Sequence, residues 1–240
     1  MSINSMLRFA ILKLLRWKRK NFVPSYTQSG FDKQLNYSLW STSRTRFAAS
    51  KRLQRKHELS GRTIAFTSAY LILLSLLQIF SKEPSLTQLL TYSSISLAIV
   101  ILVVAQLENS SNYSLKAHKH HECGLLINSL YKKLRRLKHE YKDKPQDENF
   151  WKNVNEYDDE YNNILTRFDN HGDLDFSIFK ANYPKYEDHK CSKFYVYKTK
   201  LHYYFHTQFF YHLMVYIPPV ILAALLLHIL EFYKLDFLTP

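Results

Sequence analysis

Two stretches without a charged side chain, 63–81 and 84–107, dominate the hydropathy pattern, and only Lys82 and Glu83 separate them. Each approaches the ~20 residues that an α-helix, rising 1.5 Å per residue, needs to cross a hydrocarbon layer about 30 Å thick. Lipid offers the backbone no hydrogen-bond partner, so both stretches must be helical, joined by a turn outside the apolar layer. Pro84 stops the first helix, and Ser85 with Gln88 fits an S-x-x-Q capping box that starts the second. The pattern predicts a transmembrane helical hairpin; a hairpin buried in a soluble bundle is the alternative. A third uncharged run covers 201–230, and its part 209–230 (FFYHLMVYIPPVILAALLLHIL) is long enough to span. Pro218 and Pro219 would kink it, which membrane helices tolerate better than soluble ones. Tyr203, Tyr204, Tyr211 and Tyr233 supply interfacial aromatics.

Between the apolar runs the period changes. From Trp40 the chain reads as helix straight into the first span, with no proline before the hairpin turn. The second span continues outward, loosened at 109–112. Beyond it Cys123, Ile127, Leu130, Leu134, Leu137 and Tyr141 step by four and three. After a break at Pro145, Phe150, Val154, Tyr157, Tyr161, Ile164 and Phe168 repeat the spacing. Two such stripes on a short loop should pack antiparallel. Gly172 reads as the stop after that helix, and Asp173 or Asp175 as the cap of a short helix before Pro184. At the front, 1–20 pattern as a basic amphipathic helix that either lies in the headgroup plane or packs on the rest of the protein. Residues 21–36, with Pro24, Ser25, Ser29 and Gly30, read as a linker. The fold class is therefore an all-α membrane protein: 1–35 basic helix and linker, 36–141 hairpin with cytoplasmic extensions, 142–200 cytoplasmic helical segment, and 201–240 a third transmembrane helix.

Charge orients this plan. The chain carries 33 Lys and Arg against 20 Asp and Glu, a net +13. Arg44, Arg46, Lys51, Arg52, Arg55, Lys56 and Arg62 lead into the first span, and Lys116, Lys119, Lys132, Lys133, Arg135, Arg136 and Lys138 follow the second. The turn holds only Lys82, so the positive-inside rule places both hairpin ends in the cytoplasm. The C-terminus then lies outside, near Lys234 alone. Four glycines and seven prolines favour long helices, and two distant cysteines, Cys123 and Cys191, form no disulfide framework and suit a reducing compartment.

Candidate chemistry is sparse. Ser68, Ser75, Gln78 and Lys82 fall close to one face of the first span; Thr87, Thr91 and Ser94 make a shorter stripe on the second, with Gln106 and Glu108 at its cytoplasmic end. Polar stripes can line water when copies assemble, or merely let helices pack closely. His118, His120, His121 and Cys123, and separately His189, Cys191, His202 and His206, are ligand types zinc accepts. Without a C-x-x-C pair or H-E-x-x-H they read as a solvated face, and no metal or cofactor is expected. The run 169–175 superficially resembles a calcium loop but has Leu174 where glycine is required and Lys180 where glutamate is. Basic runs give only salt-sensitive attraction to polyanions, and anionic lipid explains them as well, so no specific nucleic-acid site is expected. No nucleophile–base pair or buried carboxylate pair marks an enzyme.

The segments LWSTSRTRFAASKRL (39–53), ECGLLINSLYKKLRRL (122–137) and EYNNILTRFDNHGDLDFSIFKANYP (160–184) add what periodicity does not. Around a tight transmembrane hairpin they resemble the SLATT family, over about 36–184. Those are two-span bacterial effectors found with SMODS nucleotide cyclases, SLOG proteins or reverse transcriptases. The basic N-terminal helix and the third span depart from the two-span plan. The resemblance implies a pore-forming module in anti-phage conflict. It implies an inner-membrane homo-oligomer that answers a nucleotide second messenger or a reverse-transcriptase or nucleotide-cyclase partner. On that reading Ser68, Ser75, Gln78, Thr87, Thr91 and Ser94 line the pore, and Trp40, Arg44, Arg46 and Phe47 couple it to the cytoplasmic helices. The rival is a non-conducting tether that recruits such a partner.

Overall fold

The computed structural model describes residues 25–144 and 147–238, with side chains to residue 227. The basic helix expected over 1–20 and the break at Pro145 lie outside the described residues. A short 3-10 turn, Ser25–Gln28, precedes α1 (Phe31–Phe80), α2 (Pro84–Ser111), α3 (Tyr113–Glu140), α4 (Glu148–Arg167), α5 (Asp173–Asn182) and α6 (Lys193–Tyr204). A π turn, Phe205–Phe209, leads into α7 (Phe210–Leu238). No strand occurs among the described residues.

The organising element is α1, 50 residues long, or about 75 Å at 1.5 Å per residue. Its first half belongs to a helical bundle of amphipathic helices and its last third to the hairpin. α2 and α3 return along it as a second rod, jointed at Asn112, whose left-handed φ of 49° interrupts the helix where 109–112 was expected to loosen. Asn tolerates that conformation better than most residues.

The hairpin turn differs from the expected capping box. α1 ends at Phe80, and Ser81 is extended while its N–H still reaches the Leu77 carbonyl at 3.0 Å. Glu83, not Ser85, is the N-cap of α2, because Pro84 occupies the first helical position. A proline there sacrifices no hydrogen bond. Ser85 is thereby inside the helix, where its hydroxyl donates to the Glu83 carboxylate, and Gln88 donates to the Tyr92 hydroxyl at 3.1 Å.

Two cores result. In the one within the bundle, Cys123, Ile127, Leu130, Leu134 and Leu137 of α3 meet Phe150, Val154 and Ile164 of α4, as the two stripes required. Leu35 and Leu39 of α1 complete it. The expected linker thus gives way at Phe31, where α1 begins. Gly172 is likewise reassigned. α4 ends at Arg167 with Phe168 as its C-cap, and Gly172 is the N-cap of α5, with Asp175 accepting the Gly172 N–H at 3.2 Å. The second core, Leu74, Leu90 and Leu222, ties α7 to the hairpin.

Three helices, Phe31–Phe80, Pro84–Glu140 and Lys193–Leu227, contain stretches long and apolar enough to cross a membrane. Their apolar side chains point outward over much of their length, with Ile79 77%, Ile99 57% and Val220 69% exposed. In water such a surface would be very costly; against lipid tails it is neutral.

Candidate functional site

Several hydroxyls of the hairpin bond to the preceding turn of their own helix. Ser75 donates to the Leu71 carbonyl at 3.0 Å, Thr87 to Glu83 at 2.9 Å, Thr91 to Thr87 at 2.8 Å and Ser94 to Leu90 at 2.7 Å. These bonds to the preceding turn let hydroxyls sit in an apolar setting without an unmet donor. Gln78 is different: its amide donates across the hairpin to Thr91 at 2.7 Å. Ser75 is exposed, while Ser68, Gln78, Thr87, Thr91 and Ser94 are partly buried. The structure thus brings Gln78, Thr91 and Thr87 into one chain of hydrogen bonds, and leaves Ser75 on an uncovered surface.

The third span is bound by a complementary contact. A proline has no N–H, so Pro219 leaves the Val215 carbonyl, four residues back, without its helical donor. The Tyr70 hydroxyl of α1 donates to that carbonyl at 2.9 Å. Where lipid provides no substitute, this bond replaces the one the proline removed.

Just inside the hairpin, polar groups are packed tightly. His57 Nδ1 and Glu108 Oε1 lie 2.7 Å apart and clip α1 to α2. The hydroxyls of Ser60, Thr63 and Thr207 and the second Glu108 oxygen are buried without a partner. Sequence reading missed Ser60, Thr63 and Thr207; their burial comes from helix approach, which small residues permit but do not announce.

Away from the spans the four residues expected to couple the halves separate into four environments. Arg46 is only 1% exposed; its guanidinium donates to the Asp169 carbonyl and lies 3.3 Å from His120 Nδ1. Burial first, and then the Arg46 charge, depress the basicity of His120 and His171 below that of a free imidazole. Trp40 stacks among Phe179, Tyr183, Tyr186 and His189. His189 stays buried through a Tyr37 hydroxyl 3.1 Å from Nε2 and the Tyr183 carbonyl 2.8 Å from Nδ1. Phe47 lies against His121 and over Gly124. Arg44 is exposed. Next to them Arg52 grips Asp175 with two bonds of 2.7 and 2.9 Å, and Asp175 is fully buried. That bidentate bond raises the basicity of Arg52 further.

The histidines are not one solvated face. His118 and His121 are exposed, but His120 turns toward Arg46 and His189 into the aromatic cluster. Among the described residues no group of three or more His, Cys, Asp or Glu is placed to hold a metal ion.

Comparison with known proteins gives one assignment. No curated protein and no solved structure matches the chain. A family model, SMODS and SLOG-associating 2TM effector domain family 5, matches residues 28–225. The match is wider than the resemblance over 36–184 and takes in most of the third apolar helix. With a hairpin of two apolar helices, a helical bundle beyond it and a match over most of its length, the chain belongs to SLATT family 5, the SMODS and SLOG-associating two-transmembrane effectors.

Proposed function

We propose that this protein is a membrane effector of a bacterial anti-phage system that assembles in the inner membrane and opens a conductive path. It performs no catalysis in this reading; its output is leakage. The observation that carries the reading is the mixed face of the hairpin. Ser75 is exposed, and the Gln78–Thr91–Thr87 chain runs beside it. Because each hydroxyl is bonded to its own helix, the face can meet lipid in a single subunit at little cost. In an assembly the same atoms have lone pairs left for water. The cytoplasmic bundle holds the path shut, and α1 transmits its state. One unbroken helix carries Leu35, Arg46, Tyr70 and Leu74, so movement of the bundle displaces the hairpin directly. The trigger is a nucleotide second messenger or a reverse-transcriptase or nucleotide-cyclase partner.

The second reading is a non-conducting tether. It is favoured by an exposed, mainly basic groove on α3, lined by Lys132, Arg135, Arg136, His139 and Glu140, which suits recruitment of a nucleic-acid-making partner. Induction in cells with a voltage-sensitive dye separates the two. A pore depolarises the membrane, and Ser75→Leu with Gln78→Leu abolishes that at equal membrane abundance. A tether leaves the potential intact, and the same substitutions leave its phenotype unchanged.

A further inference from the structure

The geometry points to a binding site for a phosphate-class anion at the cytoplasmic foot of the first and third spans, and we propose that a free anion occupies it. A cavity of ≈ 550 Å³ opens where α1, α5, α6 and the π turn converge. Ligand sites commonly occupy roughly 300–1,000 Å³. Lys51, Arg55 and Glu58 of α1 face it, at spacings of four and three that put them on one helix face. Lys200 and Tyr203 of α6 and Gln208 of the π turn face it from the other side.

Its charge is unbalanced. Three cations meet one carboxylate, and Glu58 is already engaged by Arg55 at 3.8 Å and by the Gln54 amide at 3.2 Å. Neither Lys51 nor Lys200 has an ion-pair partner among the described residues. Lysine, arginine, tyrosine and amide groups together make a donor-rich lining suited to several phosphate oxygens. The walls are held in place independently. The buried Arg52–Asp175 pair, alongside the cavity, fixes α5 to α1.

Two sources have this chemistry, a lipid headgroup and a soluble phosphorylated compound. Position separates them. Glu58 lies about 7 Å below the start of the first apolar stretch, but Lys51 lies about 18 Å below it and Lys200 about 13 Å before the third. A headgroup at the membrane surface reaches the Glu58 end only, whereas both unpaired lysines sit farther into the cytoplasm. The π turn adds a mechanical consequence. It is the wide, easily reshaped segment between α6 and α7. An anion drawing Lys200 toward Lys51 would pull on the third span. Binding rests on the cavity alone; only this last consequence rests on the proposed pore.

The test uses the full chain in nanodiscs of phosphatidylcholine, titrated calorimetrically with inorganic pyrophosphate. Saturable binding is expected, weakened at least about tenfold by Lys51→Gln with Lys200→Gln and retained by Lys51→Arg with Lys200→Arg. Lys132→Gln with Arg136→Gln, in the separate α3 groove, should leave it unchanged. No binding to the wild type, or equal loss in the α3 control, would overturn the site. Repeating the titration in equimolar phosphatidylglycerol and phosphatidylcholine distinguishes the source. Retained binding supports the free anion, and complete occlusion would assign the cavity to the headgroup and overturn that choice. Since the readout is heat of binding, a failure here leaves the depolarisation experiment untouched, and the reverse.

Discussion

Arg46 sits among seven basic residues that lead into the first span, yet it is the one turned wholly inward. Burial, and then its charge, lower the basicity of His120 and His171. Their folded basicity is below the 6.5 of a free imidazole, so the unfolded chain takes up protons first as pH falls. The contribution of these imidazoles to stability is complete above 6.5 and is lost as pH drops below it. The thermal midpoint in detergent should therefore fall on acidification from neutrality, and His120→Gln should flatten that slope; identical slopes would contradict the assignment. Gly124 allows a second test. A Cβ there would stand 2.9 Å from the Phe47 ring. Gly124→Ala gains up to ~1 kcal/mol of helix propensity but forces an overpacking cost of about 1–3 kcal/mol. A net loss of stability is expected. In a Phe47→Leu background the change should become neutral or stabilising, because the two sites share one contact. Equal effects in both backgrounds, read by thermal unfolding, would refute the close approach.

At the scale of elements, the third span is held by a bond that sequence could not disclose, since Tyr70 and Val215 lie 145 residues apart. Tyr70→Phe should cost about 1 kcal/mol in wild type and clearly less in Pro219→Ala, which restores the helical donor to the same carbonyl. A double-mutant cycle in mixed micelles reads this coupling; additive effects would remove it. The elements themselves were largely legible. Uncharged runs of span length predict lipid-facing helices, and the stepped stripes of Cys123–Leu137 and Phe150–Ile164 became the core of the bundle. The failures have local causes. Pro24, Ser25, Ser29 and Gly30 signal a loop, and they masked the start of α1 a residue later, which buries Leu35. At the turn, two start signals competed, and proline's preference for the first helical position overrode the Ser85 box. The candidate site was less legible. An arginine counted toward topology looks the same in sequence whether it faces water or, like Arg46, a carbonyl.

For the whole molecule, α1 is both the wall of the bundle's core and one leg of the hairpin, so the two halves cannot reorient independently without breaking it. That joins the bundle and the hairpin through one rod, and the proposed orientation requires the hairpin to leave and re-enter the same side. The family assignment supports a two-span effector and leaves the orientation to be measured. Cysteine labelling with a membrane-impermeant maleimide, in intact cells and a Cys191→Ser background, measures it most directly. Lys82→Cys should be labelled in intact cells, and Lys132→Cys only after permeabilisation. Labelling of Lys132→Cys in intact cells, or protection of Lys82→Cys until the cells are opened, would contradict the hairpin topology.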